Sequence, residues 1–402
     1  MKWSEFKLMK KEVKLYFCIL AFTALAMGMS NQVLSNYFKD AYNVTAFQRG
    51  IIEFPREIPG LIGVVVIAAL AFLNDIRVSM FAQVLGIIGI IVLGFFTPSF
   101  SIMLVFLFIN SLGMHLFMPL SDSIGISLVD EDKLGMRMGQ FKGTFTAFSM
   151  ISAIIIFVCF RLNIFSFVTV IKWPFILAGL FLFIVLMLLI YLDKIMHHPV
   201  IHHQKTKFIL KKEYKFYYIL VVLFGAQKQI MMVYGPWVLI ELLGKKADTL
   251  ALLAIAGSFI GIFFIPALGR WLDRFGVKRL LYADGISFVV VYFLFGLLTT
   301  GYVTGTLSTV GWPVLLGYFM VVIDKMSTQM SFIRTVYLKN IVTDSSDLTP
   351  TLSLGMSMDH FVAIICSVLS GLVWGVWGPQ YIFFGAALIS LGNVYVAYKV
   401  KL

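Results

Sequence analysis

The stretch from Ile51 to Gly63, IIEFPREIPGLIG, places Glu53, Arg56 and Glu57 within about one helical turn at the mouth of a very apolar segment. On a helix Glu53 and Glu57 share a face, and Arg56 can reach Glu53. A guanidinium keeps a neighbouring carboxylate ionised, whereas a second, desolvated carboxylate can carry a proton near neutral pH. Such an acid–base–acid cluster can hold an anionic group, pass a proton or close a gate. Glu57, the deeper of the two acids, is the first candidate for the proton carrier, and Arg56 for holding an anionic substrate group. Pro55 and Pro59 each remove a backbone donor and are expected to kink the helix. Further along, His115, Lys228 between two glutamines, and Asp324 followed by Lys325 interrupt other apolar runs. Asp122, Arg334, Asp359 and His360 do the same nearer to segment ends.

These side chains need an apolar scaffold to position them, and the composition supplies one. Of 402 residues, 60% are hydrophobic and only 13% charged, against about 25% charged in an ordinary soluble domain. A soluble fold of this size cannot hide so much apolar surface. Twelve apolar runs recur, near 13–38, 48–72, 78–97, 101–129, 141–163, 172–193, 214–243, 249–270, 279–299, 311–337, 352–376 and 379–400. Runs of about 20 such residues cross a bilayer as helices, which satisfy their own backbone hydrogen bonds. The expectation is an all-α integral membrane protein. The first run is too long for a signal peptide and lacks a small-residue cleavage site, so it reads as a retained helix.

The net charge of +12 is distributed as a membrane protein requires rather than as a nucleic-acid binder would need. With the N-terminus inside, the inner segments hold Lys2, Lys7, Lys10, Lys11 and Lys14, the run from Lys194 to Lys215, the cluster Arg270 to Arg279, and Lys399 and Lys401. This is the positive-inside asymmetry, and it puts both termini in the cytoplasm. Cys18, Cys159 and Cys366 lie singly in three apolar runs, with neither a disulfide framework nor metal spacing. The histidines of HHPVIHH, from His197 to His203, have no acidic or thiol partner nearby and read as part of a basic linker on the membrane surface. That linker, 194–213, separates bundles at 1–193 and 214–402.

An internal repeat supports the division. LGMRMGQF, from Leu134 to Phe141, and LGMSMDHF, from Leu354 to Phe361, agree at five of eight positions and stand at the entry to the fifth and eleventh runs. Between the eighth and ninth runs lies GRWLDRFGVKR, Gly269 to Arg279. It resembles the signature of the major facilitator superfamily, G-x-x-x-D-R-x-G-x-K/R-K/R, through Gly269, Asp273, Arg274, Gly276, Lys278 and Arg279. Gly269 is expected to let neighbouring helices approach closely, and Gly276 to permit a tight turn. The matching first-half loop, AFLNDIRVSM, keeps Asp75 and Arg77 but has Ala71, Ile76 and Val78 where the pattern departs.

The resemblance implies twelve transmembrane helices in two pseudo-symmetric six-helix bundles, one central site and alternating access. It implies that the motif residues serve the conformational switch, and that the first, fourth, seventh and tenth helices line the path. His115, Lys228 and Asp324 fall near the middles of the last three of these, at the depth where transporter sites cluster. A charge there costs at least about 2.5 kcal/mol and must face a cavity or a partner. Lys228 with Asp324 is the expected ion pair. Asp284, near the start of a run the resemblance turns toward lipid, is given no partner. Asp359 and His360 are candidates for an inner proton station, and Asp122 with Arg334 for inner-gate partners. The reading is a secondary transporter of a small polar or charged organic solute, proton-coupled, monomeric, and set in the cell membrane. Alternatives are a proton-driven multidrug or lipid exporter and a non-transporting receptor on the same scaffold. No catalytic motif, cofactor or metal site is expected, and no nucleic-acid partner.

Overall fold

The computed structural model describes residues 9–70, 72–129, 134–196, 210–344 and 347–400, which include no strand. In chain order the α-helices are α1 (Lys11–Asn31), α2 (Leu34–Tyr42), α3 (Ala46–Ala69), α4 (Asp75–Phe95), α5 (Phe100–Ser127), α6 (Leu134–Arg161), α7 (Trp173–Ile195), α8 (Lys215–Glu241), α9 (Ala247–Thr304), α10 (Trp312–Gln329), α11 (Phe332–Ile341), α12 (Leu348–Val376) and α13 (Pro379–Lys399). Most of the basic linker, with its histidines, lies outside the described residues.

Nine helical segments among the described residues are long and apolar enough to cross a membrane, where twelve were expected. The difference falls on three places. The second run forms α3, but Glu53, Arg56 and Glu57 make it too charged to qualify. The eighth and ninth runs join as α9, which departs from helical geometry at Gly276 (φ 77°, ψ 165°). That left-handed conformation costs glycine little and any other residue more, so the tight turn expected there is present. The tenth run breaks at Met330 and Ser331 into α10 and α11. The helix α3 continues without interruption through Pro55 and Pro59. Proline removes one donor per residue, and a long apolar helix can absorb that loss.

The described residues fall into two compact units. One lies within Met1–Tyr42, Ile58–Lys205 and Ala247–Leu252, the other within Asn43–Glu57, Thr206–Lys246 and Leu253–Leu402. The first turns of α3, with Glu53, Arg56 and Glu57, thus pack in the second unit. The core of the first unit gathers Tyr16, Phe17, Leu116, Ile124, Phe141 and Leu189. Phe141, from the repeat, meets the rings of Tyr16 and Phe17 edge-on, each at 4.8 Å between centroids, contacts worth about 0.5–1.5 kcal/mol each beyond area burial. The core of the second unit gathers Tyr214, Leu220, Leu281, Ile333 and Leu338.

A polar clasp lies beside this second core, with Lys211 and Asp347 outside the membrane-crossing segments and Tyr214 at the start of one. Lys211 Nζ donates to Asp347 Oδ2, and the Tyr214 hydroxyl donates to the same oxygen at 2.7 Å. These two bonds, the lysine's first, hold the Asp347 carboxyl below its ordinary 3.8. The bond to Asp347 in turn raises the Lys211 ammonium above 10.5. The acid contributes stability above its ordinary value and loses it as pH falls through its depressed one. The lysine contributes below 10.5 and loses it as pH rises through its raised value. Asp347→Asn is therefore expected to lower the thermal midpoint across the neutral range. The gap to the parent protein should close in acid below pH 3.8. A gap unchanged in strong acid would show that the carboxylate charge does not hold the clasp.

Candidate functional site

The polar interior of the second unit is assembled by α3, α8, α9, α10, α11 and α12. It begins with a helix start. Thr45 N donates to Gln48 Oε1 at 2.9 Å, and Gln48 N donates to Thr45 Oγ1 at 3.2 Å. This reciprocal capping box fixes where α3 begins, and with it the faces on which Arg49, Glu53 and Arg56 emerge. Arg49 and Arg56 each place Nη1 on Glu53 Oε1. Gln229 Nε2 donates to the other oxygen, Oε2, at 3.2 Å. Glu53 is fully buried and Arg49 nearly so, so one carboxylate is held by two guanidiniums and an amide. The sequence reading found Glu53 and Arg56. Arg49 joins them through its i,i+4 spacing to Glu53, a signal legible in the sequence.

Glu57, one turn on, pairs with His360 of α12: Nδ1 lies 2.8 Å from Glu57 Oε2. The neighbouring Asp359 accepts from Lys228 Nζ of α8. Gly225 makes this possible. A Cβ there would stand 2.6 Å from Asp359 Oδ1 and 3.3 Å from its Cα, so only glycine lets α12 bring the carboxylate this close to α8. Glu57, His360, Asp359 and Lys228 are thereby joined across three helices.

The expected Lys228–Asp324 pair does not form. Asp324 accepts instead from the Tyr292 hydroxyl at 3.1 Å, and that hydroxyl also lies 3.0 Å from the Gln227 carbonyl. Asn393 Nδ2 donates to Gln227 Oε1 at 2.9 Å. The reason is helical azimuth. Successive residues on α8 point about 100° apart, so the Gln227 side chain faces Asn393, Lys228 faces Asp359, and Gln229 faces Glu53. The side chain of Lys325 runs over Gly257, where an added Cβ would lie 2.7 Å from its Cδ.

Arg334 pairs with Asp284 at 2.6 Å, and its guanidinium carbon sits 3.9 Å from the centre of the Phe224 ring. Asp284 is fully buried, against the expectation that its helix face meets lipid. The carboxylate partner of Arg334 is thus Asp284. Asp122 is exposed on α5 in the first unit. His115, also in the first unit, has Nδ1 2.9 Å from the Ser111 carbonyl. The Ser111 hydroxyl lies 3.2 Å from the same nitrogen.

The motif residues divide similarly. In the first unit Asn74 caps α4 by accepting from Arg77 N at 2.9 Å. Arg77 Nε pairs with Asp193 at 3.2 Å, and Asp75, buried, accepts from Ser123 Oγ at 2.5 Å. Asp193 went unnoticed in the sequence because it closes a different helix, α7. In the second unit Lys278 Nζ donates to the Val400 carbonyl at 2.8 Å, beside the C-terminus of α13. Asp273, Arg274 and Arg279 are exposed. A Cβ on Gly269 would meet nothing within 4 Å, so this glycine does not serve the close helix approach expected of it in this conformation.

A family model described as Major Facilitator Superfamily matches residues 16–340. No curated protein matches the chain. Among solved structures, the nucleoside transporter NupG is similar over 97% of this chain and 100% of its own, at 16% identity and a TM-score of 0.73. A D-xylose-proton symporter is similar over 96% of this chain and 95% of its own, at 16% identity and 0.69. A bacterial homologue of the iron transporter ferroportin, in an inward-facing state, covers 99% of both chains at 12% identity and 0.72. At these identities the likeness is one of fold.

Proposed function

Because the chain belongs to the Major Facilitator Superfamily, whose model matches residues 16–340, we propose that it is a proton-coupled secondary transporter of a small polar or charged organic solute. It works by alternating access between two six-helix halves, with twelve membrane crossings, both termini in the cytoplasm of the cell membrane, and a single chain as the working unit. The observation that carries the coupling is the pair Glu57–His360, 2.8 Å apart. A carboxylate and an imidazole in hydrogen-bond contact are a pair through which a proton can be passed. The adjoining Lys228–Asp359 pair gives the proton's arrival a second charge pair to act on. Mixed charge in this interior supports a polar or charged solute rather than a purely apolar one. The D-xylose-proton symporter is one similar fold whose name includes a proton.

Reconstituted in vesicles with an internal pH dye, the protein is expected to acidify the lumen when its solute is added from a panel of sugars, amino acids, nucleosides and organic acids. Glu57→Gln should abolish that proton flux while solute counterflow persists. Solute uptake that moves no protons, with Glu57→Gln transporting normally, would make the pair a gate and remove the coupling.

A further inference from the structure

We propose that the corner of α9 at Gly276 is a binding site for an anionic phospholipid, with its acyl chain in an apolar groove and its phosphate headgroup at a basic mouth. Two cavities of the second unit carry this. One, of about 450 Å³, is lined chiefly by apolar side chains, including Phe264, Leu268, Trp271, Met326 and Met330. The other, of about 760 Å³, is lined by Arg274, Lys278, Arg279 and Tyr282. Phe275 and Arg279 line both, so the groove and the mouth adjoin. No acidic side chain lines either; Asp273, at the same corner, is exposed and lines neither.

The occupant follows from the chemistry. Lys278 spends its ammonium on the carbonyls ending α13, 2.8 Å from that of Val400. Arg274 and Arg279 remain exposed, and their planar forks fit phosphate oxygens in pairs. Trp271 is 45% exposed, as an amphipathic ring is at the headgroup level of a bilayer, and Phe275 beside it is 41% exposed. An apolar groove opening onto arginines at that level fits a lipid with net negative charge, because a zwitterionic headgroup brings its own cation to the same place. Basic pockets beside membrane helices take anionic headgroups for this reason. Arg274 and Arg279 belong to the switch motif, so the membrane's charge would bear on the same residues as the conformational change.

The test uses the full chain in vesicles containing a few per cent of brominated lipid, with Trp271 as reporter. The quenching lost on Trp271→Phe isolates this site from the other tryptophans. Brominated phosphatidylglycerol is expected to quench Trp271 several-fold more than brominated phosphatidylcholine at equal mole fraction. The excess should vanish in Arg274→Gln/Arg279→Gln and survive in Arg274→Lys/Arg279→Lys. Equal quenching by the two lipids in the unaltered protein overturns the proposal without any arginine variant. So does an excess that survives both glutamines, or one that millimolar inorganic phosphate removes entirely, which would make the mouth a site for soluble anions.

Discussion

Replacing Glu53 by glutamine is expected to destabilise the second unit by about 3–5 kcal/mol, the cost of removing one partner from a buried ion pair. Glu53 is fully buried, and the guanidiniums of Arg49 and Arg56 both bear on its Oε1. Glutamine keeps the shape and one acceptor but leaves two cations facing each other across a neutral group. Arg56 is partly exposed and can turn toward water, whereas Arg49 cannot, with its side chain only 3% exposed. The double change Glu53→Gln/Arg49→Met removes the more deeply buried of the two cations and should recover most of the loss. Thermal melts in detergent of the parent, the single and the double variant decide it. A single-variant loss below about 1 kcal/mol, the range of exposed pairs, would show that Glu53 is not the counter-ion of the arginines.

Arg334→Met is expected to have an effect of similar size for the converse reason, because it strands an anion. Asp284 is fully buried and pairs with Arg334 at 2.6 Å. The lost stacking of the guanidinium on Phe224 adds up to about 2 kcal/mol where the cation is desolvated. Replacing both charges, Asp284→Leu with Arg334→Met, should return the melt to within about 1 kcal/mol of the parent, since an apolar pair often substitutes for a buried ion pair at no net cost. If the double variant is as unstable as the single one, packing rather than charge carries the contact. Solute transport by the double variant then separates structure from mechanism. Retained flux would make Asp284 and Arg334 scaffold, and lost flux would place them in the moving parts.

Much of this was legible in the sequence. The membrane class follows from composition, and the helices follow from run length. Glu53 with Arg56 follows from helical spacing, and the turn at Gly276 from a residue type with few other reasons to stand there. The hidden part is tertiary. Apolar length places Lys228 and Asp324 at similar depth but says nothing of azimuth, and azimuth gives Lys228 to Asp359 and Asp324 to Tyr292. Asp284 looked isolated because its partner, Arg334, lies on a helix separated from α10 by a break that hydropathy passes over. Asp193 and Arg77 are joined by packing between α4 and α7, which no local pattern records. The repeat shows the same limit. Its two phenylalanines match in sequence, yet Phe141 is 3% exposed and Phe361 57%.

The three consecutive residues Gln227, Lys228 and Gln229 have a mechanical consequence. Their side-chain contacts with Asn393, with Asp359, and with Glu53 leave α8 in three directions, successive ones about 100° apart. A shaft keyed on three sides cannot roll in its bearing. Turning α8 by a single residue's step would break every key at once, so rotation about its own axis is the motion this arrangement forbids. What stays open to α8 is to travel as one block with the first turns of α3 and with α12. Any local change strong enough to release one key, such as a proton arriving beside Asp359, frees an axis that was locked rather than bending a flexible rod.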